Sequence, residues 1–159
     1  MTRGARFSRC GRYRYVLTRR WGAGEALAFV MLNPSTADAV VDDPTIRRCM
    51  SFARREGRAG AVIVNLYAYR ATKPADLFRA ADPLGPGGAK ALRDLARAHR
   101  VIVCAWGALP TQGARARAAR IAAQLRRTGA ALYCLGRTAD GQPRHPLYAR
   151  ADRALEPFA

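Results

Sequence analysis

The sequence predicts a three-layer α/β/α fold, with helices on both faces of a mainly parallel, four-stranded central sheet. Three observations predict it: four short runs are almost wholly apolar, amphipathic segments lie between them, and those segments are long enough to be crossover helices. A strand covered on both faces reads as a continuous apolar run. A helical crossover between two such strands makes them parallel.

In chain order, YRYVLTRRW (13 to 21) alternates as an exposed or edge strand does, and ALAFVMLN (26 to 33) is the first buried run. A polar loop follows, then a helix in DDPTIRRCMSFARREG: Asp43 can cap it, Pro44 suits its first turn, and Gly57 ends it. Ile46, Cys49, Met50 and Phe52/Ala53 form its apolar stripe. AGAVIVNLYAY (59 to 69) is the second buried strand. Residues 70 to 88 carry Pro74, Pro83 and Pro86 and form a long connection with one short helical piece at PADLFRAA. A helix in GGAKALRDLARAH, a strand in RVIVCAWGA, a helix in TQGARARAARIAAQLRRTG and a strand in AALYCLG complete the pattern. The remaining tail is a Pro- and Gly-punctuated loop. No repeat and no linker divides residues 1–159, so one domain is expected.

Against 11 acidic residues the chain sets 28 basic ones, a net charge of +17, and nearly all the bases are arginine. Arginine favours bidentate contact with phosphate, so a nucleic acid, DNA first, is the expected partner. Cys10, Cys49, Cys104 and Cys134 are widely spaced and form no CxxC pair, which points to reduced thiols rather than a metal site. No run has the length of a membrane span, and the N-terminus lacks a signal-type apolar core. A cytoplasmic monomer with no cofactor and no metal is expected. Walker-type, HExxH and Gly-x-Ser-x-Gly motifs are lacking, which removes the usual triphosphatase, metalloprotease and esterase readings.

Sites in parallel α/β sheets sit at the carboxyl ends of the strands. The first buried strand ends at Asn33-Pro34-Ser35, the second at Asn65, the third at Trp106-Gly107, and the fourth runs on toward His145-Pro146-Leu147-Tyr148. One rim therefore gathers two amides, a hydroxyl, an imidazole and several aromatics, as a pocket for a planar polar ligand does. Cleavage of a glycosidic bond to a base passes through an oxocarbenium-like sugar, so such groups can act by stabilising charge and orienting water. An asparagine orients water but is no general base. Stronger activation would require Asp38 or Asp43. Asn65 suits the reading of a base edge, because an amide offers a donor and an acceptor together.

The motifs MLNPS, FARREGRAGAVIVN, WG and HPLY, in this order over residues 26 to 150, resemble the uracil-DNA glycosylase superfamily. NPSTAD, DDPTIRRC and HPLY together look closer still to an uncharacterised bacterial domain family placed near those glycosylases. The glycosylase resemblance implies that Asn33 holds the attacking water, with Pro34 and Ser35 shaping the turn, and that Asn65 reads the base. It implies that His145 donates to the departing base's carbonyl and that Leu147 or Tyr148 enters the duplex as a wedge. Arg144 and Arg150 flank that turn as DNA contacts. Tyr67, Tyr69 and Phe52 are the candidates for stacking on an extruded base. The turn His-Pro-Leu-Tyr lacks the family's phosphate-gripping serine, and the acidic run Asp38, Asp42, Asp43 lies outside its pattern. The function expected is flipping and hydrolysis of uracil or another modified or damaged base. The alternatives are a module that binds a modified base without cutting it and an enzyme acting on free nucleosides.

Overall fold

The computed structural model describes residues 1–159. Strands β1 (Thr2–Phe7), β2 (Arg14–Arg20) and β3 (Ala26–Met31) precede helix α1 (Pro44–Arg55) and strand β4 (Gly60–Asn65). Helices α2 (Pro74–Arg79) and α3 (Gly88–Ala98), strand β5 (Val101–Cys104), helix α4 (Gln112–Arg127), strand β6 (Ala131–Cys134), a 3-10 turn at Pro146–Tyr148 and strand β7 (Glu156–Pro157) follow.

The α/β class stands, but the sheet is larger than expected and mixed. Seven strands run in the order β1-β2-β4-β3-β5-β6-β7. The β4-β3-β5-β6 centre is parallel, whereas β1 and β2 at one edge and β7 at the other pair antiparallel. The expectation of a mainly parallel, four-stranded sheet is corrected accordingly. Of the added strands, β2 is the run 13 to 21 expected as an exposed or edge strand, but it lies between β1 and β4 and is largely buried, because β1 covers its outer side. β1 (TRGARF) and β7 are the true edges, and β1 has no buried residue to mark it in the sequence.

Side chains of the central strands alternate between two cores, as the period-2 geometry of a strand requires. Ala28 and Val30 of β3 join Val64, Ile102 and Cys104 against α2, α3 and α4, while Leu27, Phe29 and Met31 join Ile63, Val103 and the apolar stripe of α1. Both faces of the sheet are therefore covered by helices. Asp43 caps α1 as expected, its carboxylate accepting from the Ile46 amide at 2.9 Å, with Pro44 in the first turn.

In β2 the regular alternation breaks. Phe7 pairs with Arg14 and Arg6 with Val16, so Tyr15 is the extra residue of a β-bulge. The bulge sets Tyr15 into the core beneath α3 and turns Arg14 to the opposite face, the one shared by Leu17 and Arg19.

No helix is long and apolar enough to cross a membrane. All four cysteines are free, and only Cys10 is exposed. Burial pushes the Cys49 and Cys104 thiols far above their ordinary value, so they stay protonated and inert.

Candidate functional site

The carboxyl ends of β3, β4 and β5 and the segment that follows β6 surround a cavity of about 770 Å3 whose remaining wall is the first turn of α1. Asn33, Ser35, Asp43, Asn65, Trp106, Arg144, His145, Leu147 and Tyr148 all line it. Most of the residues singled out in the sequence thus meet in one place, brought together by strand order rather than by sequence proximity.

Asn65 closes β4 on the α1 side of the sheet and is 3% exposed. Neither its Oδ1 nor its Nδ2 has a hydrogen-bond partner. A buried amide left empty at both ends costs stability.

The Asn33 amide is fixed. Its Nδ2 donates to the carbonyl oxygens of Pro34 (3.0 Å) and Ala71 (2.8 Å). Only the NH2 group can serve two carbonyls, so the amide cannot flip and Oδ1 remains its available acceptor.

The His145 turn is anchored from two directions. Arg48 of α1 donates from Nε to the Pro146 carbonyl and from Nη2 to the Ala149 carbonyl. Gly107, at φ +77°, lets the end of β5 pass close beneath; a Cβ there would lie 3.2 Å from the Cβ of His145. The Leu147 amide donates to Nδ1 of His145, so the neutral ring carries its proton on Nε2. Burial holds the imidazole below its ordinary value of 6.5, with the Asp43 charge acting weakly the other way. His99, on the opposite end of the sheet, is lowered by burial too. The unfolded chain therefore binds more protons than the folded one just below pH 6.5. Stability is expected to be fully present above that value and to be lost as pH falls through the folded value. Denaturant midpoints of wild type and His145→Gln between pH 7.5 and 5 check this: the substitution should flatten the decline.

The aspartates answer to the loop rather than to the cavity. Asp38 accepts the Val40 and Val41 amides, each at 2.7 Å, which hold its carboxyl below the usual range, and it does not line the cavity. Asp42 pairs with the buried Arg19 at 2.6 Å and with Arg3 at 2.8 Å. Asp43 does line the cavity, but its two oxygens accept the Ile46 and Ala37 amides.

Other candidates lie elsewhere. Pro34 is buried under the Asn33 turn, where its carbonyl also accepts the Ala71 amide at 2.9 Å. Tyr67 packs on the α3 and α4 side, edge-on to Phe78 with Arg117 over its ring. Tyr69 meets Tyr13 edge-on, and Phe52 is in the α1 core. Arg150 is exposed and paired with Asp152. The aromatic rings that line the cavity are Trp106, held by Gln142 at 2.9 Å, and Tyr148.

Sequence reasoning missed Arg14. The residue, 3% exposed, lines the cavity that Asn65 also lines. Nη1 donates to the Ala37 carbonyl at 2.7 Å, and Nε has no partner. Burial lowers it to about 10, with the Asp43 charge opposing that shift, so it remains a cation at neutral pH. Strand alternation taken from YRYVL gives no sign of this, because the bulge at Tyr15 shifts the parity.

No three of the chain's His, Cys, Asp or Glu side chains come together as a metal site. Beside the cavity, Arg70, Lys73 and Arg79 line a shallower basic depression that shares Ala71 and Thr72 with it.

Comparison with known proteins corrects the glycosylase resemblance. Residues 14–147 match the family described as Protein of unknown function (DUF1643), and no uracil-DNA glycosylase family matches. Asn-Pro turns, strand-terminal asparagines and His-Pro turns are each common at polar strand ends, so their shared order does not carry kinship. No curated protein and no solved structure matches the chain. With the match covering most of its length, the chain belongs to the DUF1643 family.

Proposed function

We propose that this cavity binds a nucleobase and hydrolyses its N-glycosidic bond, with DNA as the substrate. The observation that carries the reading is the convergence on one cavity of an unpartnered buried amide, Asn65, a fixed amide, Asn33, and a neutral imidazole, His145. Asn65 reads the edge of the extruded base. Nε2–H of His145 donates to a base carbonyl and stabilises the negative charge that the leaving base acquires. Oδ1 of Asn33 accepts from the attacking water and orients it toward the sugar carbon as positive charge develops there. The net charge of +17 and the basic depression beside the cavity suit the phosphates on either side of a flipped nucleotide. Exposed Leu147 and Tyr148 on the rim suit the wedge role.

One observation favours a second reading, a module that recognises a base without cutting it. Asp43, the carboxylate on the cavity wall, already accepts two backbone amides and has limited capacity to activate water.

Base release from labelled oligonucleotides carrying uracil, hypoxanthine, xanthine and oxidised or hypermodified pyrimidines separates the two. The catalytic reading expects release by wild type and a loss of about 100-fold or more in Asn33→Ala and His145→Ala, the scale of an electrostatic or proton-donating group. Absence of release from every substrate, with salt-sensitive binding retained in both variants, would leave the binding module.

A further inference from the structure

Resting on that reading of the cavity as a base site, we infer that Arg14 sets its ligand class: a planar lactam carrying two adjacent hydrogen-bond acceptors beside its ring N–H. Arg14 spends Nη1 on the Ala37 carbonyl, so the Nε–Nη2 edge of the guanidinium is free of hydrogen bonds. That edge carries two parallel N–H donors, the geometry that grips a carboxylate, or O6 and N7 of a purine, bidentately. Asn65 adds one donor and one acceptor, both empty. Arg14 and Asn65 together thus leave more donors than acceptors open.

Ligand edges can be compared with this set. Uracil offers O4, N3–H and O2, in which no two acceptors are adjacent, so it satisfies Asn65 but meets Arg14 with one oxygen at most. Adenine and cytosine present an amino donor, which a guanidinium repels. A 6-oxopurine in its N9-linked or N9–H form presents O6 and N7 side by side as acceptors next to N1–H. A lactam pyrimidine with a carboxylate at C5 presents the same pattern, with the carboxylate as its adjacent pair. Asp43 stands near Arg14 and offsets its charge, but its oxygens are occupied by backbone amides and do not fill the free edge. The ligand is therefore selected by its paired acceptors, and a formal negative charge is not required.

The test is calorimetric titration of the intact protein with free hypoxanthine, xanthine, 5-carboxyuracil, uracil and adenine, repeated with Arg14→Lys and Arg14→Gln. At least one oxopurine or the carboxypyrimidine should bind about tenfold or more tightly than uracil and adenine, the scale of one bidentate pair. Which of them does so identifies the source of the paired acceptors. Arg14→Lys keeps the cation but not the fork and should erase the preference while uracil binding changes little. Equal affinities across the wild-type panel, a preference for uracil or adenine, or no binding of any base overturns the inference; the wild-type ranking decides this even where an Arg14 variant fails to fold. Preferential binding without base release from oligonucleotides sustains the role of Arg14 and removes the catalytic reading instead.

Discussion

Replacing Asn65 with leucine is expected to raise the unfolding free energy while abolishing base binding. The two effects have one cause. Both polar atoms of the amide are buried without a partner, and leaving a polar group in that state costs about 1–3 kcal/mol. Leucine is close in size and lies beside Met31, Ile46 and Ile63, which line the same cavity. Removing the amide should therefore stabilise the empty protein by about 1–3 kcal/mol in urea titration. The ligand edge that the amide serves loses both of its hydrogen bonds. A residue whose loss strengthens the fold and ends binding is held by function, and the reverse outcome would make Asn65 an ordinary strand-end residue.

The second large effect lies in the loop between β3 and α1. Asp42→Ala is expected to destabilise the protein by about 3 kcal/mol, because it leaves the Arg19 guanidinium buried without its counter-ion. Arg19 is fully enclosed and also donates to the carbonyls of Gly4, Thr18, Asp38 and Val41. It thereby ties the Asp38–Asp42 loop to β2 and β1. Urea midpoints of Asp42→Ala and of the double variant Asp42→Leu, Arg19→Met measure the effect. The double variant should lose much less, since it removes the stranded charge along with its partner. This arrangement explains why so basic a chain follows its most apolar strand with acids. Asp42 neutralises a buried arginine, and Asp38 and Asp43 bond backbone amides that would otherwise lack acceptors.

What the sequence made legible follows from burial. The central strands stand out as apolar runs because helices cover both their faces, and the rim is legible because a parallel strand's carboxyl end is where its polar residues gather. The position of Asn33, Asn65 and His145 on one rim was legible in this way. β1 and β7 were not, since an exposed strand with polar side chains and a two-residue strand carry no periodic signal. Tyr67 was misjudged because the chain leaves the sheet after Asn65, so alternation no longer says where its ring goes. Arg14 was invisible for a related reason. One bulged residue reverses the facing of everything before it, and bulges leave no composition behind. Asp38 and Asp43 carried the right residue type for acid chemistry, but only the fold reveals that backbone amides occupy their oxygens.

The central claim is that the rim cavity binds a nucleobase through Asn65 and breaks its bond to the sugar. Its most direct measurement is single-turnover release of free base from the modified oligonucleotides by wild type beside Asn65→Leu, both first checked for cooperative unfolding. Wild type should release base from at least one oligonucleotide, and an Asn65→Leu protein that is as stable or more so should release none. Equal release by the two proteins, or no release by wild type from any oligonucleotide, would contradict it.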